Sequence, residues 1–504
     1  MPERAEVVAA GEVEQNARTN VDEGTTAQST LGPRRLGLLQ VVAQSLATNA
    51  PVFNALTFLP LIAGGAGGAG AGGAVPLSVA LSAMAAFGIA WTLTRFSRHV
   101  DATGSVYVFI SRSFGDRTGT AFGSLNYLSI VLGPLTPLIF GGYLETYLAD
   151  RFGLHVPWWQ LSLGLIAVTA AVLALGVSIS TRAQLVWTLL AMLTITVFAV
   201  VVIVGGLDGG AVPPQAPFDA GSATHGWLGI GWGMLYGLFI FAGVESAQNL
   251  AEETPNPRRS IPRAMLIVVG LLAVYYLLVA YATVVGFRLD GGAIAGDASP
   301  LLSLAAPGAF GASWLVDLLT AMLLLDIVSL TIATCVYGSR GLFALARDGR
   351  LPAALTRVSR KRSIPAVATA VPVVWMVVLV VFTHVTGPLF AEEGAPEYMP
   401  VFSWIGGTSG LITAIVYGTV CLGAFGWLRR RERRPAFLVT AAGVGVLAAC
   451  AILFSNLYDA PAAMYVALAL VVAYLVFSFV QSTVQRRRGR FGLSTARLAK
   501  SDDA

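Results

Sequence analysis

The chain has 504 residues, 56% of them hydrophobic and only 12% charged, with a formal net charge of +5 and a mean hydropathy of +0.72. A soluble domain carries about 25% charged residues, so this composition excludes an ordinary water-solvated protein and points to a chain solvated largely by lipid. The basic excess does not imply nucleic acid, because the arginines lie in short clusters between apolar runs, the pattern by which a membrane protein records its orientation.

The N-terminal stretch 1–33 is rich in Glu, Thr, Ala and Gly and has no apolar run. It reads as a disordered cytoplasmic tail with no cleaved signal peptide. Twelve apolar spans follow, at roughly 36–63, 76–96, 118–148, 158–178, 183–206, 227–250, 263–286, 313–340, 365–386, 400–427, 437–457 and 461–484. If the N-terminus is inside, every one of the 32 Lys and Arg residues except Arg151 and Arg288 falls on the cytoplasmic side. The outer loops carry acids instead, among them Asp208, Asp219, Glu392, Glu393 and Glu397. Under the positive-inside rule this predicts a multi-pass protein of the cytoplasmic membrane with both termini cytoplasmic. Trp158, Trp159, Trp227 and Trp404 sit near predicted outer ends, as interfacial anchors. The layout predicts an all-α integral membrane fold: a five-helix repeat over 34–210, an inverted second repeat over 226–430, and two further helices over 435–484. A basic cytoplasmic tail, 485–504, ends the chain.

The Gly-rich stretch 64–73 has no following Gly-Lys-Ser/Thr and no preceding strand, so a flexible outer turn is expected rather than a phosphate loop. Cys335, Cys421 and Cys450 have no metal or disulfide spacing, and His99, His155, His225 and His384 are scattered. No cofactor is expected. The partners expected are a small amino acid or amine, a proton or sodium ion, and the lipid bilayer, with no nucleic acid.

Span 1 carries Pro51 near its middle. A mid-helix proline has no N–H and clashes with the carbonyl four residues back, here Ala47. The expectation is that Ala47 to Ala50 unwinds and that Pro51 begins a second half-helix. The amides of Val52 and Phe53 would then open toward a substrate carboxylate, at the positive end of that half-helix. The carbonyls of Ala47 and Thr48 would face an ammonium or a cation. A proline kink without a ligand is the alternative.

Span 6 holds Gly243 and the ionisable Glu245 in mid-membrane. Such an acid faces protein or water rather than lipid. A broken helix with a polar centre is where a secondary transporter places its solute. Glu245 has three readings: a proton carrier, a partner for a substrate amine, or a structural acid. Phe239, Phe241 and Tyr236 read as packing, with an aromatic beside the break able to close over a solute. In span 8, Asp326 lies deep, with Ser329 one turn on and Thr331 and Thr334 nearby; Asp317 lies near the outer water. These oxygens suit a proton or a hard cation, or hold helices together. The basic residues Arg340, Arg347, Arg350, Arg357, Arg360, Lys361 and Arg362 record topology, and they can also pair with Glu252 and Glu253 as an inner gate. The candidate site is therefore Thr48, Asn49, Ala50, Val52, Phe53, Phe241, Ala242, Gly243 and Glu245, with Glu245, Asp326 and Ser329 as coupling groups.

Three patterns extend this reading: F-I-F-A-G-V-E-S-A at Phe239–Ala247 followed by E-E-T-P-N-P-R-R-S-I-P-R-A at Glu252–Ala264, A-T-G-S-V-Y-V-F-I-S-R-S-F-G at Ala102–Gly115, and S-R-G-L-F-A-L-A-R-D-G-R-L-P at Ser339–Pro352. On these the chain resembles the amino acid–polyamine–organocation superfamily of permeases, from about Leu36 to Ser482. The resemblance implies the leucine-transporter-like fold, alternating access, and transport of amino acids or related amines. It implies that Glu245 stands where some proton-linked members place a Glu in their pH response. Two features depart from the family. Thr48-Asn49-Ala50-Pro51 replaces its Gly-rich break in span 1, and Ala191 stands where some proton-coupled members have a span-5 Lys. A sodium-coupled symporter of the same fold is the alternative, and a non-transporting sensor a remote one. A membrane enzyme would need a nucleophile–base pair or a metal cluster, and neither motif is present.

Overall fold

The computed structural model describes residues 36–65, 70–99, 105–132, 135–175, 177–208, 210, 212–347, 349–359, 365–390, 396–431, 435–458 and 462–487. The expected N-terminal tail, Gly-rich residues 66–69, Arg360, Lys361, Arg362, Glu392, Glu393 and the tail beyond Arg487 lie outside them.

Span 1 is built of three pieces, α1 (Leu38–Asn49), α2 (Pro51–Thr57) and α3 (Leu59–Gly64). After it come α4 (Val75–His99), α5 (Ser105–Phe114), α6 (Asp116–Leu132), α7 (Thr136–Phe152), α8 (Trp158–Leu175) and α9 (Val177–Leu207). The second half holds α10 (Gly226–Phe239), a 3-10 segment (Val244–Glu253), α11 (Pro257–Gly286) and two short helices, α12 (Gly291–Gly296) and α13 (Pro300–Leu304). It continues with α14 (Ser313–Arg347), α15 (Ala366–Phe390) and α16 (Met399–Gly423), and α17 (Pro435–Leu457) and α18 (Ala462–Arg487) follow. Among the described residues there is no β-strand, only two isolated bridges.

Among the described residues ten stretches are long and apolar enough to cross a bilayer, span 6 being counted across its break. The other two expected spans, 36–63 and 118–148, are each made of shorter helices, α1 to α3 and α6 with α7. Proline explains both interruptions. Pro51 opens α2, and Pro137 lies in the first turn of α7. A proline is harmless in a helix's first turn and disruptive inside it.

Burial sorts the helices into layers. α11 and α14 tie the second half to the first: α11 packs on α1, α4 and α9 while leaving Ile267, Leu271 and Val274 exposed, and α14 packs on α1, α6, α7 and α9. α18 lies outermost, with Tyr465, Val466, Leu470, Val472, Val476, Phe477, Phe479 and Val480 exposed as a lipid-facing stripe. The tryptophans divide. Trp227 is well exposed, and Trp404 is partly exposed with its Nε1 donating to the Ala463 carbonyl. Trp158, expected as an anchor, is instead buried and packs on Tyr398 and His384. Its apolar ring finds protein before it finds lipid.

Small residues permit the close helix approaches. On α14, a Cβ built at Gly341 would stand 1.8 Å from Cε1 of the buried Tyr127 on α6. Gly341→Ala should therefore cost about 1–3 kcal/mol by overpacking, visible as a lower unfolding midpoint in detergent. Adding Tyr127→Leu should return part of the loss. A midpoint unchanged by Gly341→Ala would mean that α6 and α14 do not meet this closely.

Candidate functional site

The break in span 1 is narrower than expected. The helix runs unbroken through Ala47, Thr48 and Asn49, and Ala50 donates its amide to the Leu46 carbonyl at 3.0 Å. Only Ala50 leaves the helix, at φ 52 and ψ 69, and Pro51 begins α2. One residue in the left-handed region re-aims the chain enough to free Pro51 from the carbonyl behind it. The unwinding expected over Ala47 to Ala50 is thus concentrated in Ala50.

The freed amides of α2 are occupied. Val52 and Phe53 donate to Oδ2 of Asp326 at 2.9 and 3.0 Å. Where a solute carboxylate was expected, a carboxylate of the protein's own α14 is in place. Asp326 is 2% exposed, and its Oδ1 has no hydrogen-bond partner. Phe53 is only half-buried, as are Thr48 and Ala242, so the centre of the molecule is not fully packed.

Span 6 breaks at the same level. α10 ends at Phe239, Ile240 to Gly243 form a turn, and the chain resumes as a 3-10 segment at Val244. Gly243 has φ 98, and a Cβ there would lie 2.9 Å from the Thr48 carbonyl oxygen. A side chain is excluded twice, by backbone angle and by contact. The Thr48 carbonyl is therefore covered by Gly243 rather than open to a cation.

Asn49 joins the two breaks. Its Nδ2 donates to the carbonyls of Ile240 and Ala242 at 2.7 and 2.9 Å, and its Oδ1 accepts from the Tyr276 hydroxyl at 2.5 Å. Asn54 returns from α2 to the Asn49 carbonyl at 2.6 Å, and Ser45 donates to the Val244 carbonyl at 3.1 Å. Phe241 packs edge-on against Tyr276, with ring centroids 5.4 Å apart. It is a buried wall here, not a free lid.

Glu245 points into protein, 8% exposed. Its Oε2 accepts from the Gly243 amide at 3.1 Å, and Tyr417 of α16 hydrogen-bonds to it. It borders a small cavity of about 50 Å³ shared with Phe239, Ala242, Met265, Thr413 and Tyr417. The candidate residues thus form two neighbouring groups. Thr48 to Phe53 gather around Asp326 and Asn49, whereas Glu245 looks the other way, toward α16.

Ser329 is buried, and its carbonyl accepts from Gln184 Nε2 at 3.2 Å; one turn on, the Ala333 carbonyl accepts from Gln44 Nε2 at 3.0 Å. Thr331 turns away to Thr136 and the Ile327 carbonyl. Among the described residues, no group of His, Cys, Asp and Glu could hold a metal ion. The residues that sequence reasoning missed are Asn54, Tyr276, Tyr275, Tyr417, Gln44 and Gln184. Two signals were available: Asn54 five residues after Asn49, and an adjacent Tyr-Tyr pair in the middle of the largely aliphatic span 7.

An ion pair closes each end of α14. At one end Arg340 makes a two-pronged pair with Glu253, at 2.6 and 3.0 Å, nearly buried. At the other, Arg151 holds Asp317 at 3.0 Å with Tyr147 adding a hydrogen bond at 3.1 Å. Asp317, expected in open water, is thereby tied. It borders a vestibule of about 450 Å³ lined also by Tyr143, Asp150, Thr320 and Pro307. Asp317 and Arg340 are 23 residues apart, about 35 Å along the helix at 1.5 Å per residue.

The amino acid permease family profile matches residues 55–485. An uncharacterised transporter of Mycobacterium tuberculosis is 27% identical over 385 residues, covering 75% of this chain and 81% of that one. A branched-chain amino acid permease of Bacillus subtilis is 24% identical over 330 residues, 60% of this chain and 66% of that one. A mitochondrial cationic amino acid transporter of Arabidopsis thaliana is 28% identical over 369 residues, 66% and 58% of the two chains. A crystal structure of a manganese transporter mutant from Eremococcus coleocola superposes with a TM-score of 0.52 at 14% identity, over 89% of this chain and 95% of that one. That likeness is one of fold, and the fold is leucine-transporter-like.

Asn49→Leu removes the donor shared by the Ile240 and Ala242 carbonyls. A buried polar group left without a partner costs about 1–3 kcal/mol, so this variant should lose more stability in detergent than Ser45→Ala, which removes one hydroxyl donor. Equal unfolding midpoints for the two variants would contradict a joint centred on Asn49.

Proposed function

The chain belongs to the amino acid permease family, and on that footing we propose that it is a secondary transporter moving an amino acid or related amine across the cytoplasmic membrane by alternating access. Proton coupling or exchange drives the cycle. The observation that carries this reading is the meeting of two severed spans at one level, with Gly243 pressed on the Thr48 carbonyl and Asn49 bridging both. Broken helices give a transporter backbone groups that a solute can use, and contacts that differ between conformations let the solute shift their balance.

Coupling falls to the buried acids Glu245 and Asp326. Sodium fits poorly. Of the groups expected to meet a cation, the Thr48 carbonyl lies against Gly243 and the Thr331 hydroxyl is turned toward Thr136 and the Ile327 carbonyl. The arrangement of the two five-helix repeats, with both termini in the cytoplasm, belongs to the same reading. It is supported by the placement of Arg along the chain. The Arg340–Glu253 pair is then the cytoplasmic latch, tying the lower arm of span 6 to α14.

Purified protein in liposomes should accumulate a member of a labelled amino acid and amine panel when the outside is made more acidic. Replacing sodium by choline should not matter, and Glu245→Gln should weaken the pH response. Failure to move any member of the panel would sink the transporter reading, and a requirement for sodium would reinstate the symporter alternative. The latch has its own test. In a protein whose other cysteines, Cys421 and Cys450, are changed to Ser, Arg340→Ala should speed maleimide labelling of the buried Cys335 by about tenfold, equivalent to about 1.4 kcal/mol. An unchanged rate would remove the latch.

A further inference from the structure

We propose that Asp326 is a resident stand-in for the substrate's carboxylate, and that an amino acid binds by displacing it from the Val52 and Phe53 amides while Asp326 takes up a proton. The inference rests on the permease reading above and supplies its coupling step.

The geometry is that of an anion already bound. One oxygen of Asp326 collects both amides of the α2 N-terminus, at 2.9 and 3.0 Å. A helix start is favourable for a negative group because its N–H donors and its positive dipole end converge there. The rest of the carboxylate is poorly served. Oδ1 is buried without a partner, and the hydroxyl of the buried Tyr275 on α11 also lacks one. Tyr275 and Tyr276 lie within electrostatic reach of Asp326. The hydrogen bonds given for Asp326 come from the Val52 and Phe53 amides, and the buried polar side chains that α1 and α9 send to this part of the fold include the uncharged Asn49, Gln44 and Gln184. The two amides are therefore what hold the ionised form in place.

Two carboxylates cannot share that pair of donors without strong repulsion in a low-dielectric interior. A solute carboxylate that takes the amides leaves Asp326 buried and stripped of its N–H donors. An uncompensated buried charge is costly, and a proton removes it. The balance over a cycle is simple. One proton from the side of entry bonds to an Asp326 oxygen as the solute carboxylate arrives. The same proton leaves on the other side when the solute departs and Asp326 recovers the amides. A decarboxylated amine makes no claim on the amides, so its binding involves no such proton.

The test compares each of the eighteen protein amino acids without a side-chain carboxylate with its decarboxylated counterpart, beginning with leucine against 3-methylbutylamine and lysine against cadaverine. Dissociation constants are measured by thermal stabilisation of the full chain in detergent at pH 5.5, 6.5 and 7.5. The amino acid should bind more weakly as pH rises, by up to about tenfold per unit, the limit for one linked proton. The amine should show no slope, and Asp326→Asn should flatten the amino acid's. The inference is overturned by a flat amino acid profile in the native protein, by an equal slope for the amine, or by a slope that survives in Asp326→Asn. Each of those results leaves the permease reading standing, whereas binding of neither class overturns both. If Asp326→Asn does not fold, the native protein's two profiles decide.

Discussion

A helix severed inside a bilayer exposes amides and carbonyls that lipid cannot satisfy, and each must find a partner within the protein. In this molecule the partners are side chains. The amides at the start of α2 go to Asp326, and the carbonyls at the end of α10 go to Asn49. Those two residues lie on different helices from the groups they serve. The breaks in spans 1 and 6 are thereby tied to each other and to α14, and Tyr276 draws α11 into the same knot. The buried centre of the fold follows from this requirement.

The two acids of the core are not equivalent. Asp326 meets backbone donors from another helix, so its position is coupled to where α2 stands relative to α14. Glu245 meets the amide of Gly243 two residues back and a tyrosine from α16. Its contacts register the shape of the span-6 turn itself. Both occupy apolar surroundings in which an unmet charge is expensive, but they report on different joints.

Much of this was legible in the sequence, for physical reasons that differ from residue to residue. Pro51 and Gly243 announced the breaks because a missing N–H and a missing Cβ leave few alternatives inside a helix. Asp326 and Glu245 stood out because ionisable groups are rare in apolar runs. The pairing of Asp326 with α2 was not legible: Val52 and Phe53 are 274 and 273 positions away, and nothing local fixes which anion reaches an amide. Asn49 was visible as a polar residue beside the break, but its reach to Ile240 and Ala242 depends on helix placement. The extent of unwinding was overestimated because spacing locates the clash at Ala47, whereas a single rotation at Ala50 relieves it. Trp158 was misplaced for a related reason, since an aromatic near a span end suits an interface and a helix–helix pocket equally well.

The two ion pairs on α14 differ in their access to water. The Arg340–Glu253 side chains are 4% and 15% exposed, those of Arg151 and Asp317 48% and 29%. Dissolved salt weakens exposed charge pairs within a Debye length, about 8 Å at physiological ionic strength, and barely touches enclosed ones. The two ends of α14 are consequently unequal toward their surroundings: brine loosens the Arg151 pair first and leaves the Arg340 pair nearly as tight as before.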